Sequence, residues 1–292
     1  MEGRLLKAIS GFFYTECGNT VYECKASGVF RKEKKTPLAG DIVTFDVLPE
    51  QKGYITGILP RKNELIRPPV ANADQLILLS ASVCPTPNTR VLDQITAIAA
   101  HKGISCVLVF NKSDLKDVEE YCGIYRRAGY PVFSISCETG EGVEEIRPLL
   151  SGKLSVFTGN TGVGKSSLLN RLFPEMGLKT GEVSEKLGRG RHTTRQVELF
   201  RLDENTLVAD TPGFSLLDFE RLELIRKDEL AGCFPEFGEY TGRCRFTSCS
   251  HTKEKGCAVL EALREGSIEP SRHESYVSMY EEAKKIKEWE LK

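Results

Sequence analysis

The middle of this chain is predicted to be an α/β fold, with a small β-barrel before it and a helical, metal-binding segment after it. Three observations predict this. Between residues 69 and 219, continuous apolar runs alternate with amphipathic helical patterns, as in a parallel sheet covered on both faces. Residues 1–68 hold only short alternating runs punctuated by Gly and Pro, the texture of a small barrel. Residues 220–292 turn charged and helical around a cluster of Cys and His.

Bulk properties set the bounds. A chain of 292 residues can form one large domain and one or two small ones. Its 40 basic and 41 acidic residues leave a formal charge of −1, so any basic surface must be local. No run approaches the ~20 apolar residues that span a bilayer, and Met1-Glu2-Gly3-Arg4 does not open a signal peptide. A soluble, cytoplasmic, monomeric protein with no membrane partner is expected. Of the ten cysteines, seven are scattered, several inside apolar runs such as Ser105-Cys106-Val107-Leu108, and read as small buried hydrophobes of a reducing compartment.

The barrel strands are expected at Gly11–Tyr14, Thr20–Cys24, Asp41–Val47 and Gly53–Ile58, with Arg31–Lys35 as a basic loop between strands. That loop suits either a solvated turn or a contact to RNA. Arg67-Pro68-Pro69 reads as a stiff linker. Beyond it, strands are predicted at Leu76–Leu79, Cys106–Phe110, Val132–Ile135 and Leu154–Phe157. Helices are predicted through Leu92, Ile95, Ile98 and Ala99, then near 117–128 and 142–150.

Gly159-Asn160-Thr161-Gly162-Val163-Gly164-Lys165-Ser166 matches G-x-x-x-x-G-K-[ST] between a strand and the helical Ser167–Leu172. Its glycines let backbone amides curl around phosphates, Lys165 can reach the β- and γ-phosphates, and Ser166 can ligate Mg²⁺. Val208-Ala209-Asp210-Thr211-Pro212-Gly213 is an apolar strand ending in D-x-x-G. There Asp210 can hold a Mg²⁺-bound water, and the Gly213 amide can bond the γ-phosphate. Asn111-Lys112-Ser113-Asp114 matches N-K-x-D at a strand end. The Asp114 carboxylate can accept paired hydrogen bonds from N1–H and the 2-amino group of guanine, an arrangement adenine lacks. Ser136-Cys137-Glu138 resembles the loop that supports guanine from behind, with Cys137 where alanine is usual. Together these motifs imply a site for GTP and GDP with Mg²⁺.

Their order is permuted. Asn111–Asp114 and Ser136–Glu138 precede Gly159–Ser166, and Asp210–Gly213 comes last. A doubly wound sheet tolerates this because the ligand lies along the carboxyl edge of the strands. The segment after Gly213 then leads straight into the C-terminal region, so hydrolysis is expected to move that region as one tethered piece.

With the preceding barrel and the cysteine cluster, this order resembles the RsgA (YjeQ/YloQ) family of circularly permuted GTPases over essentially the whole chain. The resemblance implies an oligonucleotide-binding-type barrel, a permuted GTPase domain and a C-terminal zinc domain. It also implies late maturation of the small ribosomal subunit, contact with its rRNA, and GTP hydrolysis stimulated by that subunit.

Gly188–Arg195 occupies the place of the first switch, where Thr194 is expected to complete the Mg²⁺ shell. The position after the D-x-x-G glycine is Phe214, which cannot orient a water, so intrinsic hydrolysis should be slow and His192 is the candidate catalytic group in cis. Gly162 stands where some potassium-activated GTPases have asparagine, which gives potassium no support as the missing charge.

Cys244-x₄-Cys249-x-His251-x₅-Cys257 supplies the Cys₃His set of a structural Zn²⁺ site, with no open position for catalysis. The polar stretch Arg243–Gly256 has little apolar content, so the metal is expected to stabilise its fold. Arg243, Arg245, Lys253 and Lys255 around it could meet phosphates. Tyr276–Trp289 shows helical spacing and is expected to pack on the zinc region. Two other readings fit the motifs: a GTP-gated switch that binds proteins, and a zinc-containing nucleic-acid regulator that only senses GTP.

Overall fold

The computed structural model describes residues 1–28, 30, 36–178, 197–211 and 225–286. The Arg31–Lys35 loop, the segment holding His192 and Thr194, Gly213, Phe214 and Trp289 lie outside the described residues.

Five strands close the N-terminal barrel: β1 (Glu2–Ile9), β2 (Phe12–Cys17), β3 (Thr20–Ala26), β4 (Ile42–Leu48) and β5 (Lys52–Ile58). They join in the order β1-β2-β3-β5-β4, and β1 pairs again with β4 to complete the ring. Closure removes the free edges. Period-two alternation sends Leu5, Cys24, Val43, Phe45 and Ile55 inward, all fully buried. Arg67-Pro68-Pro69 is not a linker. It belongs to the turn of a hairpin formed by β6 (Glu64–Leu65) and β7 (Val70–Ala71), and buried Leu65 and Val70 fix that hairpin in the core. Arg61 fastens the same region by donating to both carboxylate oxygens of buried Asp41, at 2.7 and 2.8 Å.

The second part of the sheet runs β10 (Val132–Ser134), β9 (Ser105–Asn111), β8 (Gln75–Ala81), β11 (Leu154–Gly159), β13 (Leu207–Asp210), β12 (Glu198–Arg201). All neighbours are parallel except β12, which runs antiparallel to β13. Leu76, Leu78, Leu108 and Phe110 face one core layer with helix α1 (Thr89–His101) and helix α2 (Glu119–Arg127). Their alternates Ile77, Leu79, Val107 and Val109 face the other layer with α4 (Lys165–Leu172), which follows the short α3 (Arg147–Leu150). The expected two-sided burial of a parallel sheet is therefore present. The predicted helix near 142–150 is broken into a 3₁₀ turn at Val143–Glu145 and one helical turn at Arg147–Leu150, where Pro148 removes a backbone donor.

Barrel and sheet meet along one edge. Lys7 of β1 pairs with Glu198 of β12 in backbone register and as an ion pair at 2.6 Å. Arg201 of β12 forks onto the Glu16 carboxylate of β2, with Nε at 2.8 Å from Oε1.

The C-terminal part holds α5 (Ala258–Arg264) and α6 (Pro270–Ala283). The helix predicted over Tyr276–Trp289 thus begins earlier, with Pro270 in its first turn where a missing N–H costs nothing. It packs on the Cys/His cluster as expected: Tyr276 donates to the Ser250 carbonyl at 2.8 Å, and His273 Nε2 meets the His251 carbonyl at 2.8 Å. The knuckle also rests on an aromatic cluster of Phe234, Phe237 and Tyr276, so it has more apolar support than its own sequence offers.

Arg272 of α6, 1% exposed, is the anchor of this part. It donates to Asp93 Oδ1 at 2.8 Å and Thr96 Oγ1 at 3.1 Å on α1, and forks onto Glu236 at 2.6 and 3.1 Å. Its guanidinium lies 4.7 Å from the Phe234 ring centre. Three groups from distant sequence positions thus satisfy one buried cation. In this structure the C-terminal region is fastened to α1 as well as tethered through the chain after Gly213.

Candidate functional site

The loops that carry the motifs leave the carboxyl ends of β9, β10, β11 and β13 and converge there, the edge where ligands of open α/β sheets bind. Gly159, Gly162 and Gly164 adopt φ of 155°, 84° and 93°, and the two glycines in the left-handed region turn the loop back on itself. A Cβ on Gly164 would stand 2.1 Å from Asn111 Nδ2. Glycine is required there because the base-reading loop touches the phosphate loop. Val163 is buried under that loop, whereas Thr161 and Gly162 are exposed, with Asn160, Ser166 and Ser167 half-buried.

Asn111, 2% exposed, links three loops. Its amide donates to the Val163 carbonyl at 2.8 Å, and its oxygen accepts from the Cys137 amide at 3.0 Å. Lys112, in the left-handed conformation, reaches back to the Val83 and Cys84 carbonyls at 3.3 and 3.0 Å. The Ser113 amide bonds the Ile135 carbonyl at 3.1 Å, leaving Asp114 exposed at the loop tip. Ser136 is fully buried, and its hydroxyl accepts from the Thr139 amide at 3.1 Å. Burial pushes the Cys137 thiol up to about 11, a rise that Arg171 opposes and Asp114 reinforces.

Three contributors escaped sequence reading. Arg171, at the far end of α4, donates to the Cys137 and Glu138 carbonyls at 2.8 and 2.6 Å, clamping the base-support loop to the phosphate-loop helix. Ser82 donates to the Lys112 carbonyl at 2.6 Å. Thr211 anchors its loop by a 2.6 Å bond to the Phe157 carbonyl. Arg171 and Ser82 lie outside the motifs and Thr211 is an unspecified position of D-x-x-G; each acts through a backbone carbonyl distant in sequence.

At the phosphate end, Lys165 is buried and its ammonium donates to the Thr211 carbonyl. Burial lowers its pKa from the ordinary lysine value, with Asp210 pulling the other way. Burial likewise raises Asp210, Lys165 counteracts it, and Glu198 raises it further. The buried Oδ1 of Asp210 finds no hydrogen-bond partner among the described residues. An orphaned carboxylate oxygen facing a loop of this kind fits a hydrated divalent cation, since a buried acceptor without a donor is otherwise costly.

The cysteine cluster is equally specific. Nδ1 of His251 lies 3.5 Å from Cys244 Sγ and 3.4 Å from Cys257 Sγ, and those sulfurs are 3.8 Å apart. All four donor atoms, including Cys249 Sγ, fall within 4.8 Å of one another. A tetrahedron with Zn–S bonds of ~2.3 Å has edges of about 3.8 Å, so the set fits a zinc ion. His251 reaches it from a left-handed backbone conformation, φ 57°. The Ala258 amide at the start of α5 donates to Cys244 Sγ at 3.4 Å, as expected for a thiolate.

The family model for the RsgA GTPase matches residues 58–220, more than half of the chain, and that for the RsgA N-terminal domain matches residues 2–55. The chain belongs to the RsgA family. Curated RsgA proteins align over nearly its full length. The "small ribosomal subunit biogenesis GTPase RsgA" of Geobacillus thermodenitrificans is 47% identical, covering 98% of both chains. The protein of the same name from Caldanaerobacter subterraneus is 46% identical, covering 97% of this chain and 96% of its own. Among solved structures, YloQ, described as a circularly permuted GTPase, superposes with a TM-score of 0.77 at 36% identity, covering 98% of this chain and 96% of its own. YjeQ from Thermotoga maritima gives 0.80 at 33% identity, covering 98% and 99%. The permuted RsgA fold and its GTP-hydrolysing activity, with the GTP, GDP and Mg²⁺ that activity implies, therefore apply here. Among the described residues no helix is long and apolar enough to cross a membrane.

Proposed function

We propose that this GTPase acts on the assembling small ribosomal subunit, hydrolysing GTP when the subunit is engaged. The observation that carries the reading is the end-to-end match to curated small-subunit biogenesis GTPases, barrel and C-terminal part included. The barrel and the basic knuckle supply flanks suited to rRNA. Phe246 is 51% exposed beside Arg245, whose guanidinium lies 5.6 Å from its ring centre, an arrangement suited to an unpaired base and its phosphate.

Asp114 reads guanine, Asn111 with Ser136 and Cys137 frames the base, and Gly159–Ser167 wraps the phosphates. Lys165 leaves the Thr211 carbonyl for the β- and γ-phosphate oxygens. Ser166 and Asp210 would hold Mg²⁺, which would supply charge neutralisation at the phosphates. Thr194 would complete that shell, the Gly213 amide would bond the γ-phosphate, and His192 would orient the attacking water when the subunit is engaged. Cys244, Cys249, His251 and Cys257 would hold one structural Zn²⁺. The working parts are the barrel, the permuted GTPase domain that follows it through the β6–β7 hairpin up to residue 219, and residues 220–292, in a cytoplasmic monomer.

Steady-state GTP turnover with and without purified small subunits tests this. Hydrolysis rising at least tenfold with small subunits, and not with large ones, is expected. Unchanged turnover would remove the ribosomal assignment in favour of a protein-binding switch, and near-zero turnover throughout would favour a sensor. A His192→Ala variant that loses stimulation but keeps nucleotide affinity supports its catalytic role.

A further inference from the structure

The barrel touches the nucleotide-binding sheet at an edge that leads directly to the magnesium end of the site. In the β12–β13 ladder, Glu198 stands opposite Asp210. Residues directly paired across antiparallel strands project to the same face, with Cβ atoms about 4.5–5.5 Å apart. On the other side of β12, Glu198 pairs with Lys7 of the barrel, in register and through a 2.6 Å ion pair. Lys7 is steered by Tyr14 as well, its ammonium lying 5.4 Å from that ring centre. One barrel cation, one half-exposed carboxylate and the orphaned carboxylate of Asp210 therefore stand in a row across three strands.

We propose that Lys7 is a positioning residue of the GTPase site: by neutralising Glu198 it sets the field at Asp210 and so the affinity of the nucleotide complex for Mg²⁺. With Lys7 in place Glu198 adds no net charge beside Asp210. With Lys7 drawn away, a second unpaired carboxylate lies one strand from the metal position and strengthens cation binding. A polyanion bound to this face of the barrel competes for Lys7, so occupancy of the barrel is transmitted to the Mg²⁺ site without movement of either domain. The adjacent Arg201–Glu16 fork still fastens β12 to the barrel, through β2, when Lys7 is changed.

The inference rests on Asp210 facing Mg²⁺, and one titration separates the two claims. Binding of a fluorescent GDP analogue to the full-length protein is followed as Mg²⁺ is added at low salt. Lys7→Met should lower the Mg²⁺ midpoint about two- to fivefold, and Glu198→Gln, which leaves Lys7 unpaired, should raise it by a similar factor. The double variant and Lys7→Arg should both return to the parent value, and all differences should shrink in 0.5 M KCl, where the Debye length is only a few ångströms. Midpoints that do not move, or that move in the same direction in both single variants, would overturn the coupling. An Asp210→Asn variant with an unaltered midpoint would instead overturn the reading of the metal site and the coupling with it. A shifted Asp210→Asn midpoint alongside unmoved Lys7 variants would leave the site reading standing and remove only the barrel's part.

Discussion

Asn111 donates its side-chain amide to the Val163 carbonyl at 2.8 Å, so the residue that opens the base-reading motif holds the phosphate loop as well. Its oxygen simultaneously accepts from Cys137 at 3.0 Å. Asn111→Ala leaves the Val163 carbonyl and the Cys137 amide unpaired in a buried place. A loss of about 1–3 kcal/mol in stability follows. Affinity should fall at least tenfold for GTP and GDP alike, because both loops touch both nucleotides. Calorimetric titration checks it; unchanged affinity would mean that the loops are held by other contacts.

Asp114 is exposed at its loop tip and takes no part in the packing around Asn111. Replacing it by Asn should therefore leave the fold intact while exchanging an acceptor for a donor. Preference should move from guanine toward xanthine nucleotides by at least two orders of magnitude. Competition between GDP and XDP for the site measures this, and retained guanine selectivity would show that Asp114 does not read the base.

Cys244, Cys249, His251 and Cys257 share one small volume, and Ala258 of α5 and His273 of α6 bond to the same knuckle. Purified protein should carry one zinc per chain by elemental analysis. Cys249→Ser should reduce that content and lower the unfolding temperature by several degrees, since a structural zinc contributes directly to folding. Full zinc content in this variant would exclude Cys249 as a ligand.

Arg272 carries the join between α6 and α1. Arg272→Met leaves Asp93 and Glu236 buried without their cation, which costs about 3–5 kcal/mol. Arg272→Lys keeps the charge but cannot reproduce the fork onto Glu236, so it should fall between the two. Urea unfolding followed by limited proteolysis should show the C-terminal part released first in the Met variant. Equal resistance in both proteins would show that the aromatic packing alone suffices.

The nucleotide motifs and the cysteine cluster could be read from sequence because the chemistry assigned to them demands fixed residues at fixed short spacings: Gly164-Lys165-Ser166, Asn111-Lys112-x-Asp114, and Cys244-x₄-Cys249-x-His251-x₅-Cys257. Strand positions were legible because period and run length report burial directly. Arg67-Pro68-Pro69 was misread because proline marks both linkers and tight turns, and only the burial of Leu65 and Val70 distinguishes them. Arg171, Ser82 and Thr211 were invisible because they bond carbonyls, which every residue possesses.

By itself the sequence determined the motifs and their permuted order, which carry the contacts proposed for guanine, phosphate, magnesium and zinc. The tertiary structure alone decided how the parts are joined. Lys7 with Glu198, Glu16 with Arg201, and Arg272 with Asp93 and Glu236 are pairs between side chains up to 191 positions apart. Short-range spacing encodes a site because its atoms bind one ligand. A join between domains depends on which surfaces the chain brings face to face, and no local pattern records that.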